Sequence, residues 1–486
     1  MRAASSSSLR PEPTHRTLST PGRAALLVML SGTFMVVLDF FIVNVALPSI
    51  QRDLHAGAGA LQWVVIGYGL TTAAALITGG RLGDSHGRRR VFMCGLALFS
   101  VASAVCGVAR SAEVLVAARI AQGLAGALLQ PQVIAMLGSL YSGEQRAKAF
   151  AAYGLTLGLG AACGQLVGGL LIDLDVWGLG WRNCFLINVP IGALALALSL
   201  RVLPPLPGQA SSRLDLRGAA WLALGLIGLV LPLVQGRDAG WPLWSLMCLA
   251  AAPLLLAMFW RQQQTLASRG GQPLVAPALF AQPGFLLGLL VTLTFYAGNA
   301  SFYFVLALYL QQGLGLAPLP SGLMFSVLAG AFFATSMASP RFAKRWGHHA
   351  ISIGALVLAA GHALMFCIVV AQPAGSGIGA IAVALLVQGS GLGMVMAPLV
   401  ARVLAGMPAA YAGVASGALA TVQQVGNALG VALIGIVFYG THGAMATQGS
   451  AAGFGRSLIY LFGLAIGVFV FCRRFGRLAA LNEDKP

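Results

Sequence analysis

Fourteen long apolar segments dominate this sequence of 486 residues and constrain its fold more than any other feature. Each is close to the roughly 20 residues that a helix needs to cross the hydrocarbon core of a bilayer. Only 8% of the residues are charged, against roughly 25% in an average soluble protein. The sequence therefore predicts an all-α, polytopic membrane protein. The predicted spans are 24–47, 61–80, 91–109, 113–136, 150–173, 183–203, 216–234, 243–260, 285–310, 320–339, 350–370, 378–400, 413–438 and 457–472.

The basic residues indicate how these spans are oriented. An even number of spans puts both ends of the chain on the same side of the membrane. If that side is the cytoplasm, all but six of the 29 Lys and Arg residues lie in cytoplasmic loops or in the cytoplasmic tails 1–23 and 473–486. The positive-inside rule predicts such an excess. The net charge of +17 then needs no nucleic-acid partner, and we expect a bacterial inner-membrane protein. The exceptions are Arg52, Arg110, Arg182, Arg237 and Arg456 on the other side, and Arg119 within a span.

Two pairs of similar segments indicate an internal repeat. RLGDSHGRR (81–89) aligns with RFAKRWGHH (341–349), and the Gly-x3-Gly pair at 160 and 164 aligns with the pair at 426 and 430. We therefore predict two six-helix halves, 24–203 and 285–472, separated by linkers and an inserted helix pair in 204–284. Parallel repeats of this kind place the substrate between the halves, near the bilayer midplane.

A charged segment, GGRLGDSHGRRR (79–90), is predicted to form a short cytoplasmic loop between spans 2 and 3. Its glycines permit tight turns, and its single acid could pair with an arginine or face a helix N-terminus. Such a contact could act as a latch that a moving bundle makes and breaks. A plain positive-inside anchor is the alternative. The candidate latch residues are Gly80, Gly83, Asp84, Gly87, Arg88 and Arg89.

Asp39 is the only carboxylate well inside a predicted span, and Arg119 is the only arginine there. A charge at the centre of a membrane helix costs roughly 2.5–3.5 kcal/mol, so each should be functional or paired. At 1.5 Å per residue, they lie roughly 12 Å and 9 Å below the same face and could meet. Burial favours a protonated carboxyl group and a guanidinium favours the ionised form. The pair therefore suits a proton carrier, with a fixed structural ion pair as the alternative.

Small and polar residues within the spans supply further candidates. Gly160, Gly164, Gly168 and Gly169 clear a flat stripe on which another helix can pack closely. Since lipid-facing amides are costly, some polar residues must line a cavity. His362 is interpreted as a packing residue. No P-loop or HExxH motif is present, so we expect neither an enzyme nor an ATP-driven pump. The cavity candidates are Asn44, Gln62, Trp63, Tyr68, Gln122, Gln130, Asn299, Tyr303, Gln388 and Gln424.

Several segments carry a family resemblance. LDFFIVNVALP (38–48), RIAQGLAGA (119–127), WRNCFLINVPIG (181–192), AGVASGALATVQQVGNALGVALIG (412–435) and the charged segment 79–90 occur in the order expected of the major facilitator superfamily. They resemble its fourteen-helix drug/proton antiporter branch, of the EmrB/QacA type. The glycine stripe resembles that branch's antiporter motif, although Gln165 stands where the motif has proline. The resemblance implies a 6+2+6 helix arrangement and proton coupling through Asp39 and Arg119.

Together, these features predict a proton-coupled antiporter that exports drugs or antibiotics by alternating access. The proton gradient would be its energy source, without a cofactor. Since Asp39 is the only deep acid, we expect neutral, zwitterionic or weakly acidic substrates. The lipid bilayer is the other partner, together with a periplasmic adaptor if the host has two membranes. The alternatives are a proton-coupled importer or metabolite transporter on the same fold, and a membrane sensor that does not transport.

Overall fold

The computed structural model describes residues 22–208, 214–237, 239–371, 377–405, 412–440 and 451–483. Fourteen helices within these ranges are long and apolar enough to cross a membrane, which confirms the predicted fold class. They are α1 (Arg23–Leu54), α2 (Ala58–His86), α3 (Arg88–Gly107), α4 (Ala112–Leu140), α5 (Gly143–Leu174), α6 (Gly180–Val202), α7 (Leu216–Gly236), α8 (Leu243–Ser268), α9 (Gly284–Gly313), α10 (Pro318–Trp346), α11 (Ala350–Ala371), α12 (Ile378–Leu404), α13 (Gly413–Tyr439) and α14 (Ala451–Arg474).

The prediction of a charged loop at 79–90 is wrong in its local structure. α2 continues to His86 and α3 begins at Arg88, so Gly87 alone separates the two helices. Gly87 has a φ of 96°, which side chains with a Cβ rarely adopt. Gly83 lies inside α2 and makes no turn. Arginine and aspartate are compatible with a helix, and this explains why the charged residues extend both helices rather than forming a loop.

The helices form two groups with the same internal contacts. In α1–α6, hereafter the N-group, α1 packs on α5, α4 packs on α2 and α3, and α3 also packs on α6. In α9–α14, the C-group, α9 packs on α13, α12 packs on α10 and α11, and α11 also packs on α14. α7 and α8 pack on each other, and α7 also contacts α2 and α13. The domain boundaries inferred from the sequence stay a prediction.

Glycines set the closest helix contacts within and between the groups. A Cβ atom on Gly164 would lie 2.9 Å from the Cβ of Phe41 in α1. One on Gly169 would lie 2.6 Å from the carbonyl oxygen of Pro318 in α10. Larger residues would therefore push the backbones apart. The stripe thus holds α5 against α1 on one side and against the C-group on the other.

Hydrogen bonds between the groups lie towards one end of the bundle. We call the end where α1 and α9 finish the upper face, and the end carrying Gly87 the lower face. Since these bonds bridge helices of different groups, the structure is closed near its upper face. They join Gln62 Nε2 to the Val431 carbonyl oxygen (2.7 Å), Gln311 Nε2 to the Val45 carbonyl oxygen (2.9 Å) and Gln312 Nε2 to Gln51 Oε1 (2.7 Å).

Candidate functional site

Asp39 and Arg119 form an ion pair at the centre of the N-group. Nη1 of Arg119 donates a hydrogen bond to Oδ2 of Asp39, and both side chains are fully buried. Asp39 lies midway along α1, because that helix continues beyond its predicted end to Leu54. Arg119 lies two turns into α4. The structure therefore brings together the two deep charges that the sequence singled out, while their role in proton coupling stays a prediction.

Neutral side chains complete the coordination of the Asp39 carboxylate. Its Oδ1 accepts hydrogen bonds from Gln122 Nε2 (2.8 Å) and from Asn188 Nδ2 in α6 (3.0 Å). Gln122 also donates to Oγ of Ser103 in α3 (2.7 Å) and accepts from Arg119 Nη1 (2.7 Å). Arg119 and Gln122 share a helix face because they are three residues apart. We call these five residues the N-cluster; they tie α1, α3, α4 and α6 together.

The guanidinium of Arg119 is also fixed from α2. Its Nε donates to the carbonyl oxygen of Val64 (2.9 Å), and its Cζ lies 4.5 Å from the centre of the Tyr68 ring. The phenol of Tyr68 donates to the Val36 carbonyl oxygen in α1 (3.3 Å). Among the described residues, Nη2 of Arg119 is buried without a partner. The planar guanidinium is therefore held in one orientation by partners from α1, α2 and α4.

The contacts of Asp39 depend on whether its carboxyl group carries a proton. Every side-chain contact to Asp39 described above donates a hydrogen bond, so each of these contacts needs an acceptor oxygen without a proton. A proton on Oδ2 would displace the donor of Arg119 and remove the attraction between the two charges. Taking up one proton would thus loosen the link between α1 and α4.

The candidate latch lies at the lower face and is attached to the N-group. Oδ1 of Asp84 accepts hydrogen bonds from Arg88 Nε (3.2 Å) and Nη2 (3.0 Å), and the Asp84 side chain is 49% exposed. Arg88 also donates to the carbonyl oxygen of Ala135 in α4 (3.1 Å). Arg89 donates to the carbonyl oxygen of Leu200 in α6 (2.8 Å). The sequence left two partners open for Asp84, an arginine or a helix N-terminus. In the structure, Asp84 pairs with Arg88.

Glycines in this segment allow close approach of other groups. Gln132 of α4 packs directly on Gly83, where any Cβ would overlap its side-chain amide, and its Nε2 donates to the Gly79 carbonyl oxygen (2.8 Å). A Cβ on Gly87 would lie 2.6 Å from the carbonyl oxygen of Leu206, in the linker that follows α6. Close packing, rather than turn formation, therefore explains the glycine at position 83.

The ten cavity candidates do not gather around one space. Tyr68 and Gln122 belong to the ion-pair region, and Gln62 bridges the two groups. Asn44 donates to the carbonyl oxygens of its own helix. Trp63, Gln130 and Gln424 are half-buried, and Gln424 accepts from Asn427. Asn299, Tyr303 and Gln388 line a separate small cavity inside the C-group.

Two members of the N-cluster, Ser103 and Asn188, were not predicted from the sequence. Asn188 lies in the segment WRNCFLINVPIG, and an amide in an apolar run was a usable signal. Ser103 gave no such signal, because a serine in a helix commonly bonds to its own backbone and is compatible with any environment.

Comparison with known proteins identifies the family of this chain. A family model of the Major Facilitator Superfamily matches residues 29–431. The chain belongs to the major facilitator superfamily. The family named from the sequence motifs is thereby confirmed, and it is a family of transporters rather than enzymes.

Several curated relatives cover most of the chain. A probable actinorhodin transporter of Streptomyces coelicolor is 36% identical over 89% of this chain and 75% of its own length. A cephamycin export protein of Amycolatopsis lactamdurans is 35% identical over 94% of this chain and 93% of its own. A solved POT family transporter in complex with 5-aminolevulinic acid has a TM-score of 0.68 at 13% identity, covering 93% and 96% of the two chains. At that identity the structural likeness concerns the fold alone.

Proposed function

We propose that this protein exports drugs or antibiotics across the bacterial inner membrane in exchange for protons. The observation that carries the proposal is the buried Asp39–Arg119 pair within a ring of neutral donors. Relatives covering most of the chain are named as antibiotic export or resistance proteins, among them the tetracenomycin C resistance and export protein of Streptomyces glaucescens, which is 34% identical. These names support export as the direction of transport.

The distribution of charge supports an orientation. The lower face carries the arginine-rich segment that begins α3, together with Arg341, Lys344 and Arg345 at the end of α10. By the positive-inside rule, this face and both chain ends are cytoplasmic. The hydrogen bonds between the groups then lie on the side away from the cytoplasm, so the structure is closed towards the outside. Its substrate would enter from the cytoplasm or the inner leaflet of the bilayer.

The proposed cycle couples one proton site to the movement of the two groups. Asp39 takes up a proton while the site faces outward and loses the hydrogen bond from Arg119. This change favours return to the cytoplasm-facing state, where the proton leaves and the ion pair forms again. Substrate binding favours the opposite movement. The cycle needs no cofactor, since the proton gradient supplies the energy.

The charges near the centre of the bundle also bear on the substrate. The N-cluster offers one carboxylate, and that carboxylate is already paired with Arg119. A divalent cation would therefore lack an acid to compensate its charge in a low-dielectric site. Neutral, zwitterionic or weakly acidic compounds are the expected substrates. A periplasmic adaptor is a partner in hosts that have two membranes.

The proposal is tested in proteoliposomes that contain a pH-sensitive dye. Substrates are first chosen by resistance profiling of a strain that expresses the chain, using a panel with tetracenomycin C, a cephamycin and puromycin. Adding an exported compound should then move protons in the direction opposite to the drug. Drug and proton moving in the same direction would identify a symporter and overturn the proposal.

A further inference from the structure

A small cavity with a mainly apolar lining and a few polar side chains lies inside the C-group, away from the Asp39–Arg119 pair. We call it the C-cavity. It lies among α9, α10, α11, α12 and α14 and has a volume of about 20 Å³. That is enough for roughly one water molecule or one polar group of similar size. Thr294, Asn299, Tyr303, His362 and Gln388 are the polar residues of its lining, and the rings of Phe295 and Phe302 are among its apolar walls.

The C-cavity occupies the position in the C-group that the N-cluster occupies in the N-group. The alignment that pairs position 81 with position 341 also pairs Asp39 with Asn299. The repeat that relates Gly160 to Gly426 places Gln388 opposite Gln122. α9, α11, α12 and α14 thus provide a second polar centre, matching α1, α3, α4 and α6.

The chemistry of this second centre is uncharged. The sequence contains no aspartate or glutamate between residues 239 and 482, so no carboxylate of the C-group can balance a cation there. Nε2 of Gln388 lies 2.9 Å from Nδ1 of His362. An amide nitrogen can only donate, so Nδ1 accepts and the ring hydrogen is on Nε2. His362 in this arrangement is a neutral donor.

One acceptor in the C-cavity has no protein partner. Oε1 of Gln388 is buried and makes no hydrogen bond to any part of the chain that the structure describes. Leaving a buried acceptor unpaired is unfavourable, so the site favours an occupant that donates to it. The ring of Phe302 meets the His362 ring edge-on, with centroids 5.4 Å apart, which adds an aromatic wall.

The wall of the C-cavity reaches the surface between the two groups. The Tyr303 ring stacks on Phe325 of α10, with centroids 5.6 Å apart. It also meets Phe41 of α1 edge-on at 5.3 Å. A molecule held between the groups could therefore place one polar substituent in the C-cavity while its ring contacts these aromatic side chains.

We propose that the C-cavity is a recognition subsite for an uncharged hydroxyl or carbonyl group on an aromatic ring of the transported molecule. This inference rests on the proposed transport function and specifies its substrate class. A hydroxyl group donates to Oε1 of Gln388, and a carbonyl group accepts from Nε2 of His362. The size of the C-cavity admits such a group, while the rest of the molecule stays between the N-group and the C-group.

The test is equilibrium binding to the purified full-length protein without a proton gradient. The probes are 2-naphthol and its methyl ether, 2-methoxynaphthalene, which differ in the ability to donate a hydrogen bond. The wild-type protein should bind 2-naphthol about tenfold more tightly, as expected for one hydrogen bond. Gln388→Leu should remove this preference and leave the affinity for the ether unchanged.

Ser390→Ala is the matched control on the same helix. Its hydroxyl bonds to the Leu386 carbonyl oxygen of its own helix and is exposed, so the tenfold preference should persist. If Gln388→Leu does not fold, Gln388→Met removes the same acceptor with a side chain of similar length. Equal binding of the two probes by the wild type, or an unchanged preference in the folded variant, would overturn the subsite. Since no gradient is used, the result does not depend on the direction of transport or on Asp39.

Discussion

The N-cluster and the C-cavity occupy matching positions in the two helix groups but differ in charge. The N-cluster contains a buried carboxylate and a buried guanidinium, each held by several partners. The C-cavity contains a neutral imidazole and two amides, and one amide oxygen has no partner among the described residues. In the first centre the hydrogen bonds hold a buried ion pair, although Nη2 of Arg119 and Oδ1 of Asn188 have no partner among the described residues. The second centre contains no ion and leaves a neutral amide oxygen available to another molecule.

The difference follows from the cost of burying charge. A buried carboxylate needs several donors, so Arg119, Gln122 and Asn188 all direct a donor at Asp39. Neutral polar groups tolerate an incomplete set at a smaller cost. In the proposed mechanism the two groups divide the work, with the N-cluster responding to protons and the C-cavity to the substrate. The following predictions test this division, starting with the largest expected effect.

Asp39→Asn should abolish substrate-driven proton movement. The variant leaves Arg119 buried without its counter-ion, at a cost of about 3–5 kcal/mol in stability. The measurement is the pH-dye signal in proteoliposomes, together with the melting temperature. The double variant Asp39→Asn/Arg119→Gln removes both charges and should regain stability but not coupling. Normal proton release in either variant would remove the N-cluster from the mechanism.

Arg119→Lys should also lose most of the transport activity. A lysine keeps the charge but cannot reach Val64, Asp39 and Gln122 from one rigid plane. Transport rates are compared with those of Arg119→Ala. A lysine variant with at least half of the wild-type rate would show that charge alone is sufficient, and that the planar geometry is dispensable.

Gln122→Leu and Gln388→Leu form a matched pair at equivalent positions of the two groups. The first removes hydrogen bonds to Asp39 and Ser103, so coupled transport should slow by about 10- to 100-fold, as expected for bonds to a charged group. The second should change which compounds are recognised and leave the number of protons per drug molecule unchanged. Both quantities are measured in one flux assay. Identical defects in the two variants would argue against a division of work.

Asp84→Asn should slow transport by a few-fold without weakening substrate binding. The repeat places Lys344 opposite Asp84, so the C-group has no equivalent acid. In this structure the half-exposed Asp84–Arg88 ion pair contributes only about 0.3–0.5 kcal/mol to stability. A larger effect of Asp84 on transport must therefore come from contacts that it makes in the other conformation of the transport cycle. Stopped-flow rates and binding affinity are both measured. Glu144→Gln breaks a similar exposed pair, with Lys148, and should have no effect. An equally slow Glu144→Gln variant would deny Asp84 a special role.

Gln165→Leu should have the smallest effect, a gain in stability. Both polar atoms of this buried side chain lack partners in the described structure. The backbone of Gln165 lies close to Gly322 of α10, where a Cβ atom would be 2.6 Å from the Gln165 carbonyl oxygen. The repeat places the apolar Val431 at the equivalent position of the C-group. A leucine of similar size should raise the free energy of unfolding by about 1 kcal/mol. A lower melting temperature would show that the amide is bonded after all and that the two positions differ in function.

The number of spans, the fold and the family could be predicted from the sequence. A bilayer sets the length of each apolar run, and the cost of a buried charge made Asp39 and Arg119 visible without any structure. Their proximity also followed from counting residues along two helices. The charged segment was recognised, but its backbone was predicted as a loop, because hydropathy locates the edge of the membrane rather than the end of a helix.

Only the tertiary structure decided which neutral residues share a site. Asn188 and Ser103 reach the N-cluster from α6 and α3. An amide in an apolar run indicates that Asn188 needs a partner, but nothing in either helix indicates which residue that partner is. His362 and Gln388 meet across two helices of the C-group in the same way. A charge is costly enough to be recognised in the sequence alone, whereas an amide or a hydroxyl is compatible with several environments. Its function depends on the helices that pack around it.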